Sequence, residues 1–276
     1  MGINNKRRYR NKKINKISGD NMDDKKKLAI SKAILEYLNQ IENENSILNG
    51  NLLLDEEKNF VKNNINAFVI GLIADQSVKV EIAWSLPYKL YKRLNTFDFN
   101  EIVQKYTIED IEKIIKTKPA LHRYPSRIAL YIYCAINDII QKYNGNASNI
   151  WMNRNADEIV KLLEEFKGIS HKKASLGTML LIRDLGIDIR DKKNVDIAYD
   201  VHIRRTFLRI GLAQNDIQEE ILESARKIYS EYPGKLTTAF WTLGRDYCRP
   251  TDPTCLLCPL SKLCDKNFEK TKNIKS

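Results

Sequence analysis

Four cysteines near the C-terminus constrain this chain more than any other feature. Cys248, Cys255, Cys258 and Cys264 follow a C-x6-C-x2-C-x5-C spacing within seventeen residues, so their thiolates can wrap one small centre without help from the rest of the chain. Four sulfur ligands suit a [4Fe–4S] cluster or tetrahedral zinc. Zinc sites more often pair two C-x2-C knuckles across a longer loop. Only one such pair occurs here, which favours iron–sulfur, with zinc as the alternative. Pro250, Pro253 and Pro259 stiffen the ligand loops, as expected of a structural appendage. The fifth cysteine, Cys134, falls in the apolar stretch Ile128 to Ile136 and reads as a small core residue.

The remainder carries helical periodicity and no convincing alternation. Asp23-Asp24 precedes Leu28, Ile34, Leu35 and Leu38, and Asp55-Glu56-Glu57 precedes Phe60, Val61, Ile65, Phe68, Val69 and Leu72. Val80 to Leu94 continues helically, with Pro87 expected to kink it or begin a new helix. Thr107 is placed to cap Ile108 to Ile115. Leu121 to Ser126 reads as a turn before a long helix, Arg127 to Tyr143, and Asn155 to Phe166, Ala174 to Asp184, Ile203 to Ile210, Ile217 to Tyr229 and Thr237 to Leu243 complete the series. An all-α protein without internal repeats is the expectation.

Charge narrows the partner class. Lys plus Arg number 46 against 35 Asp plus Glu, a net +11, and nucleic acid leads the candidates. Residues 1–20 hold seven of the basic residues against only Asp20, a tail suited either to tracking phosphate or to solvation. The longest apolar runs, Ala67 to Ala74 and Ile128 to Ile136, fall far short of the roughly 20 residues that span a membrane. A cytoplasmic, nucleoid-associated protein acting as a monomer is expected.

One stretch joins the elements of a reactive site. Phe166-Lys167-Gly168-Ile169-Ser170-His171-Lys172-Lys173-Ala174 is a Gly-centred turn opening into a helix, whose free N–H groups attract phosphate. A polar connector, residues 186–194, leads to Asp200-Val201-His202. An anion anchor, an amine and an acid therefore lie in one segment.

The cysteine spacing, the Gly168-Ile169-Ser170 turn with Lys172 and Ala174, and Asp200-Val201-His202, in this order, resemble the endonuclease III family of helix-hairpin-helix DNA glycosylases. The resemblance runs from about Val69 to Cys264. It implies two α-helical domains flanking a DNA-binding cleft: a six-helix barrel over residues 57–190, a cluster domain from 24–56 and 191–268, a basic flexible tail at 1–23 and a short tail at 269–276. It implies that double-stranded DNA with a damaged or modified base is the partner, that Lys172 attacks C1′ to form a Schiff base, and that Asp200 activates the lysine or stabilises the sugar. Asp196 competes for that second role. It further implies that Gln76 fills the gap left by the extruded nucleotide. Gly168, Ser170, His171, Lys173 and Arg123 would lie near phosphates, with Lys167 beside them. The lysine amine must be neutral to attack, so burial or adjacent positive charge is expected to lower its pKa. Ser170 replaces the second glycine of the family hairpin, and the connector before Asp200 is longer than the family pattern. The activity implied is a bifunctional glycosylase and abasic-site lyase in base excision repair. A glycosylase without lyase activity and a non-catalytic iron–sulfur DNA-binding protein are the alternatives.

Overall fold

A computed structural model describes residues 24–274. The basic tail expected at 1–23 and the last two residues of the C-terminal tail lie outside the described residues. Among the described residues twelve α-helices follow one another: α1 (Asp24–Ile41), α2 (Asp55–Asn63), α3 (Ile65–Ala74), α4 (Val80–Leu94), α5 (Phe99–Lys105), α6 (Ile108–Lys116), α7 (Pro125–Tyr143), α8 (Ala156–Glu164), α9 (His171–Arg183), α10 (Val201–Ile210), α11 (Gln218–Ile228) and α12 (Leu236–Thr242). The described residues contain no strand and one isolated bridge, Asn155 with Arg190. The chain is all-α.

Local chemistry sets several boundaries. Thr107 and Asp110 form a reciprocal capping box at the start of α6, as do Asn155 and Glu158 at α8. Asn64 breaks the second periodic segment, so α2 and α3 are separate helices. Pro87 neither ends nor restarts its element: α4 runs through it from Val80 to Leu94, so one intrahelical donor is missing there. α9 begins three residues before the expected start, at His171 with Ser170 as N-cap. This places Lys172 and Lys173 in its first turn.

Buried apolar side chains gather into two cores. The larger runs from Ile47, Leu48 and Leu53 through α2 to α9 and includes Val195 and Tyr232. Trp84 and Phe68 pack at its centre, both fully buried, with ring centroids 5.4 Å apart. The smaller combines α1 with α10, α11 and α12, where the Phe207 and Phe240 rings pack tilted to each other with centroids 4.4 Å apart. Segment 45–52, although it follows α1, therefore packs partly on the larger core. Cys134 is only half-buried on α7.

Candidate active site and cysteine centre

The turn before α9 needs a glycine. Gly168 has φ +87°, and a Cβ there would stand 2.4 Å from the Tyr131 ring. The turn delivers Lys172 on one face of α9. From the other side, Asp200 caps α10: its Oδ1 accepts from the N–H groups of His202 and Ile203, each at 2.9 Å. The second oxygen, Oδ2, is left facing the Lys172 ammonium at 3.8 Å. That separation exceeds a direct hydrogen bond and leaves room for a water or a substrate atom between them. Asp196 is occupied elsewhere, bound through both oxygens to the Arg226 guanidinium at 2.7 and 2.8 Å.

Lys172 and Asp200 share a cavity of about 160 Å³. Leu176, Met179, Leu180 and Arg183 line it from α9, Ile47 and Leu52 from the segment after α1, and Thr237, Thr238 and Trp241 from α12. It lies between the elements of the two cores.

The neighbouring lysine behaves differently from its sequence reading. Lys173 turns inward, and its ammonium donates to the Ile73 and Gly168 carbonyls at 2.9 Å each. It is therefore committed to backbone and is not a phosphate contact in this structure. Burial first, and Lys172 in addition, lower its pKa to about 8, against the pull of Asp75. Lys172 stays half-exposed in the cavity. Because the folded state releases the Lys173 proton before the unfolded chain does, wild-type stability should climb relative to a Lys173→Met variant as pH rises from about 8 toward 10.5. Urea midpoints of both proteins across that range check this, and a constant gap would contradict it.

Lys173 also organises the segment after α3. The Gln76 amide donates to the same Ile73 carbonyl at 2.7 Å, so this side chain is folded back on its own helix. The buried His122 bonds the Ala74 carbonyl through Nε2 at 3.1 Å and accepts from the Tyr124 N–H through Nδ1, which corresponds to the neutral ring. Burial lowers its pKa further. Arg123 and Arg127 flank the Tyr124 ring at 5.4 and 5.1 Å. Ser170 is exposed, and His171 is exposed and pairs with Glu164.

Asp75, Arg183 and Trp241 are site residues that the sequence reading did not single out. Asp75 lines the cavity and accepts from the Trp84 indole N–H at 3.3 Å. Burial raises its pKa, against that hydrogen bond and the charges of Lys173 and Lys172. A carboxylate directly after the apolar run ending at Ala74 was the available signal.

The four cysteines line one further cavity, together with Arg209, Lys266 and Phe268. The described residues contain no group of three or more His, Cys, Asp or Glu arranged to hold a single metal ion. The donor set nevertheless suits a larger centre. Arg209 Nη1 donates to Cys248 Sγ at 3.6 Å and the Lys266 N–H to Cys264 Sγ at 3.3 Å, contacts that favour anionic sulfur. Burial first, then the neighbouring cysteines, pushes the Cys258 thiol up to about 11, and a cationic centre is the ordinary means of holding such sulfurs ionised.

Two arginines one turn apart fix the loop. The buried Arg205 donates to the Cys248 carbonyl at 2.6 Å and the Gly244 carbonyl at 2.8 Å. Arg209 reaches the Arg249 and Pro250 carbonyls at 2.7 and 3.2 Å. A π-helical turn, Leu243–Tyr247, carries α12 into Cys248. Arg249 bonds the Asp252 carbonyl within the loop.

An all-helical protein with two cores, a lysine and a carboxylate facing each other across the cavity between them, and a cysteine-bearing C-terminal loop defines a class of architecture. Solved structures of similar architecture include endonuclease III and a thymine-DNA glycosylase. A trapped endonuclease III–DNA covalent intermediate in an estranged-adenine complex matches with TM-score 0.61 at 19% identity, over 89% of this chain and 99% of that one. A non-covalent endonuclease III–DNA complex gives 0.62 at 18%, over 90% and 99%. A thermostable thymine-DNA glycosylase gives 0.61 at 16%, over 89% and 98%. No protein-family model matches the chain, and no curated protein matches it. At these identities the likeness establishes the endonuclease III fold.

Proposed function

We propose that this protein is a DNA glycosylase that extrudes a damaged or modified base and excises it, with abasic-site lyase activity through Lys172. The observation that carries the reading is the Lys172 ammonium facing the free oxygen of Asp200 in the cavity between the two cores. Extruding a base costs a few kcal/mol, and the apolar lining of the cavity offers surface for it. Asp200 Oδ2 takes a proton from Lys172 through a water placed in the 3.8 Å between them. The neutral amine then attacks C1′ as the bond to the base breaks, and the base leaves with its electron pair and is protonated. The sugar-ring oxygen then leaves C1′ and takes up the proton held by Asp200, giving the protonated Schiff base, and loss of the C2′ proton forms an enamine that expels the 3′ phosphate. The Coulomb field of Asp200 also stabilises positive charge developing on the sugar.

Borohydride reduction tests this: wild-type protein with a duplex containing one abasic site should give a covalent complex. Base release without any trapping would instead select the alternative in which Asp200 activates water. The nucleic-acid partner is further supported by the excess of basic residues and by the two neighbours described as DNA complexes.

We further propose that Cys248, Cys255, Cys258 and Cys264 hold a [4Fe–4S] cluster, which when bound ties α10, α12 and the C-terminal loop together. The donors from Arg209 and Lys266 support a centre held by anionic sulfur, and the single C-x2-C pair favours iron–sulfur over zinc. Arg209→Leu should at least halve iron and acid-labile sulfide per protein while far-UV circular dichroism keeps its helical form. Full iron retention in this variant would contradict the assignment of Arg209.

A further inference from the structure

Two carboxyl groups line the cavity with Lys172, and they come to it from different cores. Asp200 starts α10 in the smaller core, takes two backbone N–H donors and faces the Lys172 ammonium. Asp75 directly follows α3 in the larger core. Its backbone N–H bonds the Gly71 and Leu72 carbonyls, which closes the helix and fixes where the side chain starts. Oδ2 then accepts from the indole N–H of Trp84 at 3.3 Å, a ring fully buried at the centre of that core. Core packing therefore sets the position of this carboxyl in the cavity wall.

The other oxygen, Oδ1, has no hydrogen-bond partner among the described residues, and it is not one of the side-chain atoms sealed away without a partner. Asp75 is part-buried and lines the cavity, so this oxygen is open to what enters there. The cations around it are engaged elsewhere. Lys173 gives its ammonium to the Ile73 and Gly168 carbonyls, Lys172 pairs with Asp200, and Arg183 bonds Asp184 and Thr238. The His122 ring at the end of α3 has the hydrogen bonds of its neutral form. Burial raises the pKa of Asp75, against the indole bond and the charges of the two lysines. A carboxyl group with one long hydrogen bond, no ion pair and an open oxygen is suited to carry a proton and to give it up.

We propose that Asp75 is the acid of base release: Oδ1 gives its proton to a ring acceptor of the extruded base as the bond to C1′ breaks. This rests on the glycosylase reading and adds a third catalytic residue to that same site. The glycosidic electron pair goes to the base, the proton neutralises the anion so formed, and Asp75 is left as a carboxylate in the field of Lys172 and Lys173. The amine that has joined C1′ holds one proton more than the Schiff base retains. Water returns that proton to Asp75, so the count closes. The two carboxyls then divide the work: Asp200 serves the amine and the ring oxygen, and Asp75 serves the leaving group. The bases that gain most are those with a carbonyl or ring-nitrogen acceptor that leave poorly as anions. An abasic site has no base to expel and does not need this proton.

Full-length protein is tested under single-turnover conditions on duplexes bearing uracil or 5-fluorouracil opposite guanine or thymine glycol opposite adenine, and in parallel on an abasic-site duplex. Asp75→Asn keeps an oxygen for the Trp84 indole and loses the acidic proton. Release of the bases that wild type excises should fall by about 100-fold or more in this variant, and by about 30-fold more than cleavage of the abasic site. Fluorine stabilises the departing anion, so the loss on 5-fluorouracil should be smaller than on uracil by about five-fold or more. Asp75→Glu restores an acid on a longer arm and should release more base than Asp75→Asn at equal abasic-site cleavage. Equal losses on base release and abasic-site cleavage in both variants, base release kept in Asp75→Asn, or the same loss on uracil and 5-fluorouracil overturns the proposal. If wild type is trapped on the abasic site and any of these results is found, or no base is released, the inference fails and the lyase reading stands. If neither trapping nor base release occurs on any duplex, the glycosylase reading fails and takes the inference with it.

Discussion

Lys172→Ala is expected to abolish the borohydride-trapped complex and to slow cleavage at an abasic site by about 10³-fold or more, because Lys172 is the lysine that lines the cavity with Asp200. The contrast with its neighbour makes the test specific. Lys173 has the lowered pKa, which on electrostatic grounds alone would nominate it as nucleophile. Its Nζ, however, is engaged by the Ile73 and Gly168 carbonyls, and it does not line the cavity with Asp200. Lys173→Ala should therefore still be trapped, with reduced stability and a weakened tie between the hairpin and the segment carrying Gln76. The opposite result, trapping lost in Lys173→Ala and kept in Lys172→Ala, would exchange their roles.

Spacing and order made the large features legible in the sequence. The cysteine quartet and the glycine turn are local patterns, and helical periodicity needs only a dozen residues, so the all-α architecture and the positions of most helices could be read without tertiary information. Position relative to neighbours could not. Lys172 and Lys173 are adjacent in α9, and about 100° of helical rotation sends one toward Asp200 and the other toward Ile73. The pattern places both on a basic turn, and packing alone separates them. Pro87 shows the same limit. Propensity expects a kink or a restart, yet α4 buries Ala83, Trp84, Leu86 and Leu90 around it, and tertiary packing carries the helix through. Asp75 directly follows the apolar run that ends at Ala74. Its place in the cavity wall depends on Trp84, nine residues later.

The largest loss of stability is expected at Asp184, a residue that the pattern marked only as a helix end. Its carboxylate is fully buried and serves three donors. Oδ2 accepts from the backbone N–H groups of Ile47 and Leu48 at 2.8 and 3.0 Å, while Oδ1 takes the Arg183 Nε–H. Its own carbonyl accepts from the Asn49 amide at 3.1 Å. These bonds fasten the segment after α1 to the end of α9, and Ile47 and Leu52 of that segment form one wall of the base cavity. Asp184→Ala leaves two backbone donors and a largely buried guanidinium without their acceptor, at a cost of about 3–5 kcal/mol. Asp184→Asn keeps the acceptor oxygen but loses the charge opposite Arg183, and should cost less than half as much. Urea unfolding followed by circular dichroism reads both values as a fall in midpoint at constant slope. The wall and the chemistry then come apart: in Asp184→Asn the release of a base should fall further than cleavage of an abasic site, because only the former needs Ile47 and Leu52 in place. An equal loss on both substrates would mean that Asp184 acts on the fold as a whole and not on the cavity wall.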